Sequence, residues 1–289
     1  MQPVLTVVVP HFNDLDGLDA CLSALEKQSL DRGRFTIVVA DNESPQCHEA
    51  VAQVVADRAR LVFEAKKGAA HARNAALPLV STPYIAFTDS DCVPDPEWLA
   101  AGLRHLESGA ADFFGGEMRV SVPSGRAMSG PEVYELVFAF KNDRYVRLGF
   151  SVTANLFVRT EMFDRVGAFV DGVSEDKDWC LRAVASGYRI GYAGGAIVGH
   201  PPRSDWPALL KKWRRLQAEM AMLEMQKPGG RLKWLARTWG MPLSVAAHGL
   251  KVLASSQLSS GEKLRGLVTL TRLRLWRFLE GHRQVLRRP

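Results

Sequence analysis

One pattern narrows the possible folds of this chain more than any other. In its first part, β-branched or apolar runs stop abruptly at polar or acidic residues, and each is followed by a stretch with helical spacing. Val4-Leu5-Thr6-Val7-Val8-Val9 is a continuous apolar run of the kind found in strands buried on both faces. Pro10 closes it, and Asp14 is placed to cap a helix whose apolar face is Leu15, Leu18, Leu22 and Leu25. Further strands are predicted over 35–40, 61–63 and 83–88, with helices over 50–56 and 68–77, and another from Pro96 through Leu106. The alternation predicts an α/β domain with a mostly parallel central sheet and helices on both faces. Ligands of such sheets sit beyond the carboxyl ends of the strands. Those ends carry His11 and Asn13, then Asp41 and Asn42, then Asp89 and Asp91.

The alternation lapses after residue 120. Residues 121–131 read as a Ser/Gly/Pro loop and 133–140 as a helix; a strand follows over 155–158 and a helix over 175–186. A Gly-rich strand pair over 188–198 ends in His200. Beyond Pro207 the chain reads as a pair of amphipathic helices. Leu209, Leu210, Trp213, Leu216, Met220 and Leu223 hold one face, and Lys211, Lys212, Arg214 and Arg215 the other. The net charge of +6 is divided unevenly: residues 1–204 carry −6 and residues 205–289 carry +12. With 47% hydrophobic and 24% charged residues, the composition is globular and excludes collagen-like or wholly disordered chains. The four cysteines, Cys21, Cys47, Cys92 and Cys180, form no C-x-x-C pair, which fits a reducing, cytoplasmic location rather than a disulfide scaffold. No secretory leader is read at the start. The most apolar tail segment, 240–254, is interrupted by His248 and Lys251, so no transmembrane span is expected.

Two acidic motifs carry chemistry. Asp89-Ser90-Asp91 follows a strand directly, and two carboxylates one residue apart can share a hard divalent cation and the sugar end of a nucleotide. Taken alone, the same residues read equally as a solvated loop or a helix cap. Ser174-Glu175-Asp176-Lys177-Asp178 places three carboxylates at a helix start, either complementing the helix dipole or supplying a general base.

In order along the chain, several motifs resemble those of family-two inverting glycosyltransferases, which have the nucleotide-diphospho-sugar transferase fold known as GT-A. They are Val9-Pro10-His11-Phe12-Asn13; Ala40-Asp41-Asn42-Glu43-Ser44, with Glu43 where the family has Gly; Gly68 with Ala72-Arg73-Asn74; Asp89-Ser90-Asp91; Asn155-Leu156-Phe157-Val158-Arg159 with Val166-Gly167-Ala168-Phe169; and Glu175-Asp176-x-Asp178 with Arg182 and Gly187. The resemblance implies a GT-A catalytic domain over 1–204, with a nucleotide-binding half (1–120) and an acceptor-binding half (121–204), followed by a basic helical extension over 205–289. It also implies roles. Pro10, Phe12 and Asn13 would line the base pocket, and Asp41 would accept from the base, uracil foremost. Arg73 would lie near the diphosphate or the Asp89-Ser90-Asp91 turn, and Asp89 and Ser90 near ribose or sugar. Asp91, with Asp89 and His200, would hold Mn²⁺ or Mg²⁺; His200 reads otherwise as a capping residue. Asp176 would be the catalytic base, with Glu175 and Asp178 orienting it or the acceptor. Asn155 would reach the diphosphate or acceptor. Trp179 would stack on an acceptor sugar, unless it is a core residue.

The implied reaction transfers a sugar from a nucleotide-diphospho-sugar, a UDP-sugar foremost, to a hydroxyl of a glycan or lipid-linked glycan. Three rivals fit less well. A sugar nucleotidyltransferase needs a Gly-rich, Arg-bearing loop where Pro10-His11-Phe12-Asn13 stands. A non-catalytic sugar-nucleotide binder has no need of Glu175-Asp176. A dinucleotide oxidoreductase needs G-x-G-x-x-G after the first strand. For the basic tail two readings stand: helices packed on the catalytic domain or on a second subunit of a homodimer, or a peripheral surface for anionic lipid, with Trp206, Trp213, Trp234, Trp239 and Trp276 at the interface. Nucleic acid is not an expected partner, because no recognised motif accompanies the charge.

Overall fold

A computed structural model describes residues 2–44, 48–122, 125–172 and 174–286. Cys47 and part of the expected 121–131 loop (residues 123 and 124) lie outside the described residues. The chain divides into two compact units, residues 1–119 with 140–200, and residues 120–139 with 201–289.

The first unit is built on one eight-stranded sheet. Its strands are β1 (Leu5–His11), β2 (Phe35–Asp41), β3 (Arg60–Phe63), β4 (Tyr84–Phe87), β5 (Val93–Pro94), β6 (Phe113–Val120), β7 (Leu156–Arg159) and β8 (Ile190–His200), in the order β3-β2-β1-β4-β7-β6-β8-β5. The run from β3 to β4 is parallel, as the β-branched strands predict. Beyond β4 the sheet continues through antiparallel pairs, β4 with β7 and β7 with β6, so the sheet is mixed. The Gly-rich segment expected as two strands is the single long strand β8, whose edge pairs with β5.

Alternation along each parallel strand feeds two cores. Leu5, Val7, Val9, Ile37, Val39 and Ala86 face one, with Leu18, Leu22 and Leu25 of α1 (Leu15–Glu26). Val8, Val38, Ala40, Ile85 and Phe87 face the other, with Ala72 and Ala76 of α3 (Ala69–Ala76). Both faces are thus covered, which explains why β1 reads as an uninterrupted apolar run. Also in this unit are α2 (His48–Val55), α4 (Trp98–Glu107), α6 (Asn142–Arg147), α7 (Met162–Val166) and α8 (Glu175–Ala185). Asp14 caps α1 as expected, accepting from the Gly17 backbone N–H.

The second unit is helical: α5 (Gly130–Phe138), α9 (Trp206–Met225), α10 (Gly230–Leu253) and α11 (Ser260–Leu286). The tail therefore forms three long helices where two were expected, with Gly229 in the left-handed region (φ 68°) at the start of α10. α5, read from sequence as part of the acceptor half, groups instead with the tail. Its Val133 packs with Val252 and Leu258, and its Tyr134 with Leu209, Leu270 and Leu273. Those apolar partners lie far along the chain, which is why local pattern could not place this helix. Among the described residues, no helix is long and apolar enough to cross a membrane.

Candidate active site

The site begins where β1 and β2 end side by side. Their register sets His11 opposite Asp41, and His11 Nδ1 donates to Asp41 Oδ1 at 2.7 Å. His11 Nε2 accepts the Asp14 backbone N–H at 3.2 Å, which fixes the ring proton on Nδ1. The Ser44 backbone N–H donates to Asp41 Oδ2 at 3.0 Å, and its hydroxyl also donates to the same carboxylate. Asp41 is fully buried. Expected to accept from a nucleobase, this carboxylate instead ties the 42–44 turn to β1. Ser44 Oγ in turn accepts the Asn13 N–H at 2.8 Å. Asn13 and Glu43 both take left-handed backbone (φ 54° each), and Glu43 therefore occupies a conformation that glycine adopts without strain. Asn42 binds the next loop, donating to the carbonyls of Glu64 and Lys66 and accepting from Gly68 N–H. Pro10 is half-buried and the Phe12 ring is 49% exposed, so these present an open apolar surface at the end of β1. The sequence sets His11 and Asn42 at the strand ends but gives neither a role of its own. Their signal was position, each being the polar residue beside a strand end of a parallel pair.

The two acidic motifs meet through one cation. Arg73 on α3 donates from Nη2 to Asp89 Oδ1 at 2.7 Å and from Nη1 to Glu175 Oε1 at 2.8 Å, and its side chain is 4% exposed. Burial alone would lower the guanidinium's pKa, but the charges of Asp89 and Glu175 outweigh it and raise it. Asn74, the next residue, closes a two-way amide clasp: Nδ2 donates to Phe169 O at 2.8 Å and Oδ1 accepts Phe169 N–H at 3.0 Å. The Ala-Arg-Asn motif thus holds the segment that leads into α8, and the acidic start of α8 lands beside Asp89.

Asp176, at the first turn of α8, is half-buried; burial, and then the charge of Glu175, push its carboxyl up to about 6. Its Oδ1 accepts the Lys177 N–H at 2.7 Å. Asp178 turns away to Arg182 at 2.8 Å on its own helix, and Arg182 Nη2 donates to Ala168 O at 2.8 Å. Asp178 thus braces the 166–168 turn through Arg182. The Tyr145 and Phe150 rings stack at 5.1 Å; Lys177 lies over Phe150, and the Asp176 charge is felt at Tyr145.

Past β4, Ser90 is buried and Asp91 faces β8, because the pairing of Val93 with Gly199 delivers the following His200. His200 Nε2 lies 3.4 Å from Asp91 Oδ2. One ligand atom each from Asp91, Cys92 and His200 falls within a 4.8 Å span. A carboxylate and an imidazole form a mixed O/N donor pair suited to Mn²⁺, which keeps room for phosphate oxygens; burial holds the Cys92 thiol protonated.

Two expected acceptor residues are structural. Trp179 is fully buried, edge-on to Phe113, with its indole N–H donated to Gly167 O at 2.9 Å, so it offers no face to a sugar. Asn155 is fully buried and spent: Oδ1 accepts the Trp98 indole N–H, and Nδ2 donates to the carbonyls of Glu117 and Ala196, each at 2.9 Å.

A sheet of this order is that of the GT-A fold. The family model for glycosyl transferase family 2 matches residues 6–167, and the chain belongs to that family. It is 28% identical over 222 residues to the glycosyltransferase AglE of Haloferax volcanii, covering 73% of this chain and 71% of that one. It is 26% identical over 215 residues to a pre-mycofactocin glycosyltransferase of Mycobacterium tuberculosis, covering 71% of this chain but only 44% of that protein. Among solved structures, the mannosyltransferase PcManGT of Pyrobaculum calidifontis, in complex with GDP-Man and Mn²⁺, superposes with a TM-score of 0.63 at 19% identity, over 99% of this chain and 88% of that one. S. aureus TarS 1–349 with UDP-GlcNAc gives 0.54 at 16% identity, over 97% and 92%.

If Asn155 is a clamp, Asn155→Ala strands the buried Trp98 N–H and two carbonyls. Urea unfolding should show a loss of about 2–4 kcal/mol, with KM for donor and acceptor unchanged in the folded fraction.

Proposed function

We propose that this protein is an inverting glycosyltransferase in which Asp176 is the general base. In this reading the donor is a nucleoside-diphosphate sugar, a UDP-sugar by the family resemblance of the 9–13 and 40–44 motifs, and the acceptor is a hydroxyl of a glycan or lipid-linked glycan. The observation that supports the reading is the Arg73 bridge, because it ties Asp89 to Glu175, the neighbour of Asp176, whose carboxyl feels the charges of both Arg73 and Asp89. Asp176 takes the proton of the acceptor hydroxyl as its oxygen attacks the anomeric carbon. The bond from that carbon to the diphosphate oxygen breaks on the opposite face, and the nucleoside diphosphate leaves. One displacement inverts the centre, and no enzyme-bound sugar intervenes. Asp91 and His200, with Asp89 nearby, would hold a divalent cation, Mn²⁺ before Mg²⁺. When bound, it neutralises charge on the diphosphate. Asp89 and Glu175, both engaged by Arg73, position rather than react.

A carboxyl titrating at about 6 is ionised at neutral pH yet basic enough to take a proton. The log of kcat/KM should fall with unit slope below about pH 6, and Asp176→Asn should lower turnover on the order of 10²–10⁴-fold. The same variant should be more stable than wild type near pH 7. The folded protein holds the Asp176 proton to a higher pH than an unfolded chain, whose carboxyl titrates near 3.8, and so loses stability as pH rises from there to about 6. Melting curves that leave the variant's advantage unchanged between pH 4 and pH 7 would remove Asp176 from this role.

Ligands that bind only the folded state raise its melting temperature. A panel of UDP-, GDP- and dTDP-sugars with Mn²⁺ should single out UDP-sugars, and Asp91→Ala should abolish the Mn²⁺-dependent part of the shift. A GDP-sugar preference would correct the donor, and an unchanged shift in Asp91→Ala would sink the metal assignment.

We further take the tail to be a peripheral membrane surface. α10 exposes Leu232, Trp239, Leu243 and Leu250, and α11 exposes Leu264, Val268, Leu275, Leu279 and Leu286, in a unit rich in Lys and Arg. Flotation with anionic vesicles should retain wild type and release the double variant Leu243→Glu/Leu275→Glu; equal retention counts against it.

A further inference from the structure

Among the described residues, the helical unit contains a buried cation with no carboxylate partner. Arg277 of α11 is 4% exposed, and its side chain donates from Nε to Gln217 Oε1 at 2.9 Å. Its guanidinium lies 4.3 Å from the Trp213 ring centroid of α9. No carboxylate pairs with it among the described residues. A buried charge of this kind is held at a cost unless something offsets it.

Its neighbours repeat the pattern. Arg274 lies three residues earlier, on the same face of α11. Its Nε is buried with no acceptor, and its Nη1 reaches only the Met241 sulfur at 3.2 Å. Arg237 of α10 extends across Trp234 and contributes a third positive charge. Burial pulls the Arg277 guanidinium down to about 10, and the charges of Arg274 and Arg237 press it the same way. On the facing helix, Tyr134 of α5 is buried edge-on to Trp213, and its hydroxyl feels both Arg274 and Arg277. Glu135, whose charge is felt at Tyr134, is already held by Arg203 and by Lys212 at 2.6 Å.

We propose that Arg274, Arg277 and the Tyr134 hydroxyl form a binding site for a phosphate group in the helical unit, with Arg237 at its rim. Two planar guanidiniums and one hydroxyl match a tetrahedral oxyanion carrying more than one charge, and arginine pairs with phosphate in a fork that a carboxylate or chloride fills less well. The phosphate has two possible sources, a lipid headgroup or a soluble phosphate. The site is independent of the transfer chemistry above and stands or falls without it.

The test uses the full chain in EDTA, so that no metal-held phosphate contributes. Inorganic phosphate should raise the melting temperature of wild type well beyond sodium chloride of equal ionic strength, and calorimetry should give saturable binding. Arg277→Met, which replaces the unpaired charge with a side chain of similar length, should melt no lower than wild type without phosphate, yet lose at least ten-fold in phosphate affinity. Tyr134→Phe should lose a few-fold and provides an independent reading if Arg277→Met fails to fold. Vesicles of phosphatidylglycerol against phosphatidylcholine separate the sources. Selective retention that Arg277→Met abolishes identifies a headgroup phosphate, whereas retention unaffected by Arg277→Met, with phosphate affinity still lost, identifies a soluble one. Equal phosphate shifts in wild type, Arg277→Met and Tyr134→Phe would overturn the site, since general salt stabilisation acts on all three alike.

Discussion

The meeting of the two acidic motifs depends on a single buried guanidinium. Arg73 comes from a helix in the parallel half of the sheet, Asp89 from the turn after β4, and Glu175 from the start of a helix far along the chain. A buried charge is tolerable only when well partnered, and losing one partner of such a pair costs about 3–5 kcal/mol. The arrangement is therefore close to all-or-none: the three elements are either in register or the cation is stranded. It also divides labour among the acids. Asp89 and Glu175 neutralise Arg73, Asp91 faces His200, and Asp176 is the base of the proposed reaction. Glu175 has a second effect, because its charge helps lift the Asp176 carboxyl toward neutrality.

Much of this was legible in the chain itself, and the reasons differ from residue to residue. β1 announced itself because a strand covered on both faces has no polar alternation to blur it. The acidic motifs were legible because strand ends and helix starts are places where carboxylates are either solvated or useful. What sequence could not show was how side chains spend their hydrogen bonds. Asn155 and Asp41 look like ligand contacts by motif, yet each is buried with its acceptors and donors engaged by the protein. Trp179 sits in the acidic helix, but the 3.6-residue period turns it inward to Phe113 and Phe163. β6 escaped notice because its Gly115 and Gly116 dilute the β-branched signal; an added Cβ at Gly116 would collide with Asn155.

Several family motifs acquire a mechanical meaning from these contacts. Asn42 gathers the loop that leads to Gly68, and Asn74 fastens the segment before α8. These amides set distances between loops that carry the proposed reacting groups, so the motifs read as scaffolding as much as ligand contacts. Glu43 is the departure. It holds the left-handed position of its turn without glycine's freedom, and the network of His11, Asp41 and Ser44 around it offsets that strain.

The chain leaves the first unit after Arg119, contributes α5 to the helical unit, and returns at Phe140. This excursion has a consequence for biosynthesis. The apolar face of α5 has its partners Leu270 and Leu273 on the last helix, so it emerges from the ribosome long before they exist. At translation rates of roughly 5–20 residues per second the wait is about 7–26 s, during which that face must be shielded by nascent structure or by a chaperone.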